Sequence, residues 1–292
     1  MNEKTKAHLA VLAANLVFAG NFSVVKYVTP RLIAPFGLNV VRVVVSVSLF
    51  WFLWLFGKPD RKIDREDIGR FIISGITGVT INQLLFIKGL SITYSTHASL
   101  LMLCTPIMIT FSSLIILKEK PSLMRILGLV LGISGAMVLI LSKDPTGKGE
   151  NVWLGDLFVA LNATSYSLYF ILVRPLLAKY SPLQVIRWVF TIGGILILPF
   201  GWNEFISAPW ASFSATALAA MAFIAVVATF LGYLLNTYGL QHLKASATGA
   251  YMYLQPFFVA TIAWFILDEP FGWNKVLAAA LIFTGVWMVN KR

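Results

Sequence analysis

The residues best equipped for specific chemistry in this sequence lie inside its apolar runs. Asn15, Phe18, Ala19 and Phe22 stand at i, i+3, i+4 and i+7, one face of a helix. Asn162, Ser165, Tyr166 and Tyr169 repeat that spacing. Gln83 and Phe86 share a face with Asn82 adjoining; Tyr233 and Asn236 share another, with Thr229 one turn earlier. Ala98, Met102 and Thr105 form a fifth face, and Thr248, Met252 and Gln255, with Tyr251 between, a sixth. Polar side chains are costly in lipid, so these faces must turn toward the protein interior or a water-filled cavity. Hydrogen bonding between helices is the plain reading of any single Asn or Gln. As a set, with Tyr, Phe and Met interleaved, they suit a cavity that takes a small amphipathic solute.

The elements that position these faces are membrane-spanning helices. Of 292 residues, 58% are hydrophobic and 12% charged, with mean hydropathy +0.81. A soluble domain carries about 25% charge, and a single soluble core cannot bury this much apolar surface. Ten runs are long enough to cross a bilayer: about 6–28, 35–56, 67–90, 94–117, 122–142, 153–174, 182–201, 213–240, 245–267 and 273–290. All ten are expected to be helices, because open strands leave backbone groups unpaired in lipid and these runs do not alternate as barrel strands do. The first run has no small-residue cleavage pattern and carries Asn15 and Asn21, so it reads as a retained span. Net charge is +11, but the basic residues lie in short loops and form no stripe beside stacking aromatics, which argues against nucleic acid. With an inside N-terminus, 15 Lys and Arg fall in inside segments and 6 in outside ones, so both termini are expected in the cytoplasm.

A shift of 150 positions lays Tyr94–Ser122 on Lys244–Gly272 without a gap, pairing Met102 with Met252, Pro106 with Pro256 and Glu119 with Glu269. Over 82–140 and 232–290, 12 of 59 positions are identical, including Gly89/Gly239 and Gly135/Gly285. Five spans are thus duplicated, at 1–142 and 151–292. Five is odd, so the second copy must enter the membrane inverted, an arrangement of transporters with a midplane site. The expected fold is an all-α integral membrane protein, ten helices in two inverted five-helix repeats around a central cavity.

Pro106 and Pro256 each free a carbonyl and bend their helix, as packing kinks or as hinges. Glu119 and Glu269 fall at helix–helix corners, where a carboxylate meets the open N–H groups of the next helix. Arg42 and Arg187 are expected to snorkel to the interface, and His97 to be a surface or packing residue. Gly128, Gly132 and Gly135, and Ala280, Thr284 and Gly285, give small-residue faces for packing within a subunit or across a weak dimer. Cys104 stands alone, so no disulfide and no multi-cysteine metal site is expected; nor is a cofactor. No acidic residue falls at an expected midplane, which points to a facilitator or exchanger, or to weak coupling through His97.

A secondary carrier of small metabolites is the leading reading. A membrane-embedded enzyme on lipid or peptide is the alternative, but His8, His97 and His242 are scattered near membrane faces, and there is no intramembrane Asp pair and no Gly-x-Ser-x-Gly. A structural or regulatory subunit is a third.

The ordered set Asn15 to Phe22, Arg42-Val43, Gly89-Leu90, Thr105-Pro106, Lys118-Glu119 and Gly128 to Gly135, followed by Arg174, Gln255-Pro256, Asp268-Glu269 and Gly285, resembles the drug/metabolite transporter superfamily. Within it the chain is similar to the EamA-type ten-helix permeases over nearly its whole length. Phe18-Ala19 stands where that family often has Trp before Gly. The resemblance implies a basket of helices with spans 1, 3, 4, 6, 8 and 9 lining the cavity. It also implies alternating-access export of amino acids or related metabolites across the cytoplasmic membrane.

Overall fold

The computed structural model describes residues 2–57, 60–105, 107–108, 122–141, 151–243, 248, 251–256, 258–259, 262 and 272–290. Every regular element among these residues is helical. In chain order they are α1 (Glu3–Val28), α2 (Pro35–Leu55), α3 (Arg65–Ile92), a short α4 (Ser95–Met102), α5 (Leu123–Leu141), α6 (Val152–Lys179), α7 (Pro182–Ile206), α8 (Ala215–His242) and α9 (Trp273–Asn290). Helices α1, α2, α3, α6, α7 and α8 are each long and apolar enough to cross a membrane. The remainder of expected spans 4 and 9 lies outside the described residues, as do Pro106, Glu119 and Glu269.

Local sequence sets the helix starts. Pro35 and Pro182 occupy first-turn positions, where the missing N–H costs nothing. Ser181 accepts from Gln184 N and Ser214 from Ala217 N, each closing a free first-turn donor. The start of α2 has no cap of its own. Glu204 of α7 reaches across instead, and its Oε2 accepts from Phe36 N at 2.7 Å and Gly37 N at 2.8 Å. The helices pack because glycine lets backbones close up. A Cβ on Gly201 would lie 2.2 Å from the Phe36 carbonyl oxygen, and one on Gly155 2.8 Å from that of Gly89.

The most extensive helix pairings are α5 with α9, α2 with α7, α3 with α6, and α1 with α8. Helices α3 and α8 each widen into a π-helical stretch, Ile76–Ile81 and Phe223–Leu231, ending 150 positions apart. Such wide turns free backbone groups for other partners. The Thr77 carbonyl accepts from Ser165 Oγ at 2.7 Å, and the Ala225 carbonyl from Ser46 Oγ at 3.2 Å. Large apolar side chains such as Val44, Phe52, Ile72, Ile195 and Trp287 point outward, as a lipid-facing surface requires.

The small-residue faces of α5 and α9 meet each other inside one subunit. A Cβ on Gly285 would lie 2.6 Å from both the Gly128 carbonyl oxygen and the Gly132 nitrogen. Backbone atoms cannot step aside as a side-chain tip can. Gly285→Ala should therefore destabilise the detergent-purified protein by about 1–3 kcal/mol. Gly69→Ala, with nothing within 4 Å of the added carbon, should be neutral or slightly stabilising. Thermal unfolding of the two variants checks this; equal melting temperatures would contradict the close contact.

Candidate functional site

One cavity gathers polar and aromatic side chains from both halves of the chain. It encloses about 650 Å³ of space, its open mouth included. Of the residues singled out by helical spacing, Asn15, Phe18, Phe86, Met102, Asn162, Tyr166, Tyr233, Asn236, Thr248, Met252 and Gln255 line it. They arrive on α1, α3, α4, α6, α8 and the segment around 248–255. Phe22, on the Asn15 face, and Asn82, beside Gln83, line it too, and Asn21, Arg42 and Phe170 complete the described lining.

A hydrogen-bond network holds these side chains in place. The Tyr233 hydroxyl accepts from Gln83 Nε2 at 3.1 Å and donates to Asn82 Oδ1 at 3.0 Å. Asn162 Nδ2 donates to the Asn82 carbonyl at 2.7 Å, and Asn236 Nδ2 to the Tyr166 hydroxyl at 3.1 Å. Gln255 Nε2 donates to Asn15 Oδ1 at 2.6 Å. Aromatic edges fill the gaps: Phe18 meets Tyr233 at 5.9 Å and Phe22 meets Phe86 at 5.3 Å between ring centroids. Edge-on geometry suits the charge distribution of the rings.

Gln83, Tyr169, Thr105 and Tyr251, also chosen by spacing, stand outside the lining, each for a local reason. Gln83 lies one layer behind and holds Tyr233; the π-helical stretch just before it shifts the helical phase, so Asn82 faces the cavity. Tyr169 turns its ring against Gly78 of α3, where a Cβ would come within 2.3 Å of it. Thr105 follows the end of α4 at Met102, so the straight-helix face 98–102–105 does not extend to it. Tyr251 begins a 3₁₀ turn, Tyr251–Leu254, whose threefold period sets Met252 and Gln255 on one side. Tyr251 itself contacts His8 Nδ1 at 3.0 Å. Pro256, the described member of the proline pair, is buried beside Gln255.

Both intramembrane arginines depart from the snorkelling expectation. Arg42 is buried in the cavity wall, and its Nε donates to Thr229 Oγ1 at 2.9 Å. Arg187 is buried too; it pairs with Asp60 and lies over the rings of Trp51 and Trp54, at 4.5 and 4.9 Å. Asp60, before α3, supplies the partner that lipid headgroups would otherwise provide.

Of the two roles expected for His97, surface or packing, the structure shows packing. His97 is 3% exposed, and its Nδ1 lies 2.8 Å from Asp156 Oδ2, while Thr93 Oγ1 donates to Asp156 Oδ1. Asp156, the fifth residue of α6, is fully buried. Lys275 of α9 donates to Thr96 Oγ1 at 2.7 Å nearby. This cluster joins α3, α4, α6 and α9 outside the cavity lining. Asp156→Ala leaves two buried partners without an acceptor, so a loss of roughly 3–5 kcal/mol is expected. In a double-mutant cycle with His97→Ala, the two losses should fail to add by more than about 0.5 kcal/mol. Additive losses in thermal unfolding would show that the pair is not coupled.

Comparison with known proteins fits this arrangement. The chain matches the EamA-like transporter family over residues 5–141 and 153–291. An uncharacterized transporter of Archaeoglobus fulgidus is 22% identical, covering 100% of this chain and 99% of the relative. A WAT1-related protein of Arabidopsis thaliana is 24% identical, covering 98% of this chain and 86% of that one. A "probable terminal-alkyne amino-acid exporter" of Streptantibioticus cattleyicolor is 25% identical over 80% of this chain and 76% of its own length. A solved crystal structure shares the fold at TM-score 0.63 and 15% identity, covering 98% of this chain and 96% of the other. The family is one of transporters, and the Archaeoglobus fulgidus and Streptantibioticus cattleyicolor relatives are named as a transporter and a probable exporter, which sets the enzyme alternative aside. With its apolar spanning helices and a family match in both halves, the chain belongs to the EamA-like transporter family of the drug/metabolite transporter superfamily, as a multi-pass membrane protein.

Proposed function

We propose that this protein is a secondary transporter that exports small metabolites, amino acids or related compounds, across the cytoplasmic membrane by alternating access. The observation that carries this reading is the convergence of matched polar faces from both halves on one cavity. The exporter name borne by the Streptantibioticus cattleyicolor relative supports the class of solute.

The architecture belongs to the proposal: ten helices in two inverted repeats, 1–142 and 151–292, with both termini cytoplasmic. Several features support it. Helices α5 and α9 begin 150 positions apart, at Leu123 and Trp273. Gly89 makes room for α6 against α3, and its mate Gly239 makes room for α1 against α8. The α3–α6 and α1–α8 pairings exchange under the repeat, while α2–α7 and α5–α9 map onto themselves. A pseudo-twofold axis in the membrane plane requires that pattern. Pro256 serves as a hinge in this scheme, with Pro106 as its mate, and Glu119 and Glu269 as corner posts. The protein works as a monomer or weak homodimer and needs no cofactor or metal.

No carboxylate is present in the described cavity lining, so transport is proposed to run as facilitation or exchange. Asn236→Ala and Gln255→Ala should each slow amino-acid flux into proteoliposomes by about tenfold, the worth of one hydrogen bond to a solute. Folding should be retained, as read by helical content and melting temperature. Full flux in both variants would contradict the cavity as the transport site.

A further inference from the structure

The cavity has one charged residue among its described lining, Arg42, and that charge has no counter-ion there. Arg42 is 3% exposed. Its Nε is used by Thr229, but its Nη1 has no hydrogen-bond partner among the described residues. A guanidinium presents five donors in a planar fork that matches a carboxylate two-on-two. Removed from water with no anion beside it, the charge is costly, and an incoming carboxylate relieves that cost. Two further lining residues carry buried polar atoms without partners, and both atoms are acceptors: Asn21 Oδ1 and Asn162 Oδ1. An unpaired cation and two unpaired acceptors among the described lining residues of one cavity complement a solute that carries a carboxylate together with N–H or O–H donors.

We infer that Arg42 is the carboxylate-binding group of this cavity, and that the solute is a small organic acid bearing a donor group, with its donor received by Asn21 or Asn162. The inference rests on the cavity being the transport site and adds the chemical class that the site selects. Thr229 fixes the direction of the fork: its hydroxyl donates to the Ile224 carbonyl in the π-helical stretch and accepts from Arg42 Nε. A bound carboxylate thereby touches α2 and, through Thr229, the widened turn of α8.

The test is ligand-induced thermal stabilisation of the purified full-length protein by a panel of small amino acids, 2-hydroxy acids and dicarboxylates, each run beside its amide. Sodium chloride and sodium phosphate serve as inorganic arms at matched ionic strength. At least one acid should stabilise the wild-type protein with an apparent affinity about tenfold or more above that of its amide. Arg42→Gln should abolish that preference and Arg42→Lys retain part of it. The acid-to-amide ratio in the wild-type protein needs no variant to fold. Equal response to acids and amides, with Asn236→Ala still weakening both, overturns the Arg42 assignment and leaves the cavity reading standing. Acid binding untouched by both Asn236→Ala and Gln255→Ala removes the two readings together. Stabilisation by phosphate or chloride alone, or by no acid in the panel, also overturns the carboxylate assignment.

Discussion

The centre of the molecule turns on one hydroxyl. Tyr233 accepts from Gln83 and donates to Asn82, tying α8 to α3 at the point where the two halves of the chain meet. Gln83 and Tyr233 are 150 positions apart, the repeat offset itself. In an apolar surrounding such a bond cannot be traded for water without cost, since an unmade partner keeps the full penalty of desolvation. The network that grows outward through Asn162 and the Asn82 carbonyl therefore fixes which helix faces turn inward. The cavity is the space left between those faces.

Width of turn matters as much as side-chain type. The two π-helical stretches sit at corresponding positions in α3 and α8 and take partners from α2, α6 and α7. Thr80 Oγ1 donates to the Gly193 carbonyl of α7, while Arg42 and Ser46 of α2 donate into the stretch in α8. Helices α2 and α7 are thus coupled to the wall without forming most of it. A carrier that exchanges which side is open needs such elements, because they can pass a change at the cavity to the packed outer helices.

Much of this was legible in the sequence because lipid makes polar placement unforgiving. An Asn or Tyr at helical spacing inside an apolar run has few places to go, and Asn15, Asn162, Tyr166 and Asn236 lie where the spacing put them. The failures follow departures from the ideal 3.6-residue period. Gln83 follows a π-helical stretch, Thr105 lies past the end of α4, and Tyr251 lies in a 3₁₀ turn. Arg42 and Arg187 were misjudged for another reason. Snorkelling is the default of a long cation that finds no partner, and the partners here, Thr229 and Asp60, are distant in sequence. For His97, read as a surface or a packing residue, the structure shows the packing role, and its partner Asp156 lies 59 positions away. Asn21 was within reach of inspection, three residues beyond Phe18 on the same turn-to-turn path.

The central claim is that one cavity, walled by both halves, opens to the two sides of the membrane in turn. Single cysteines in place of Phe86 and Met252, in a Cys104→Ser background, test it most directly. Each is labelled with a membrane-impermeant maleimide from either face of oriented vesicles, with and without a transported acid. Labelling that rises from one face as it falls from the other when solute is added is the predicted result. Labelling confined to one face and unchanged by solute would contradict alternating access and reduce the cavity to a static pocket.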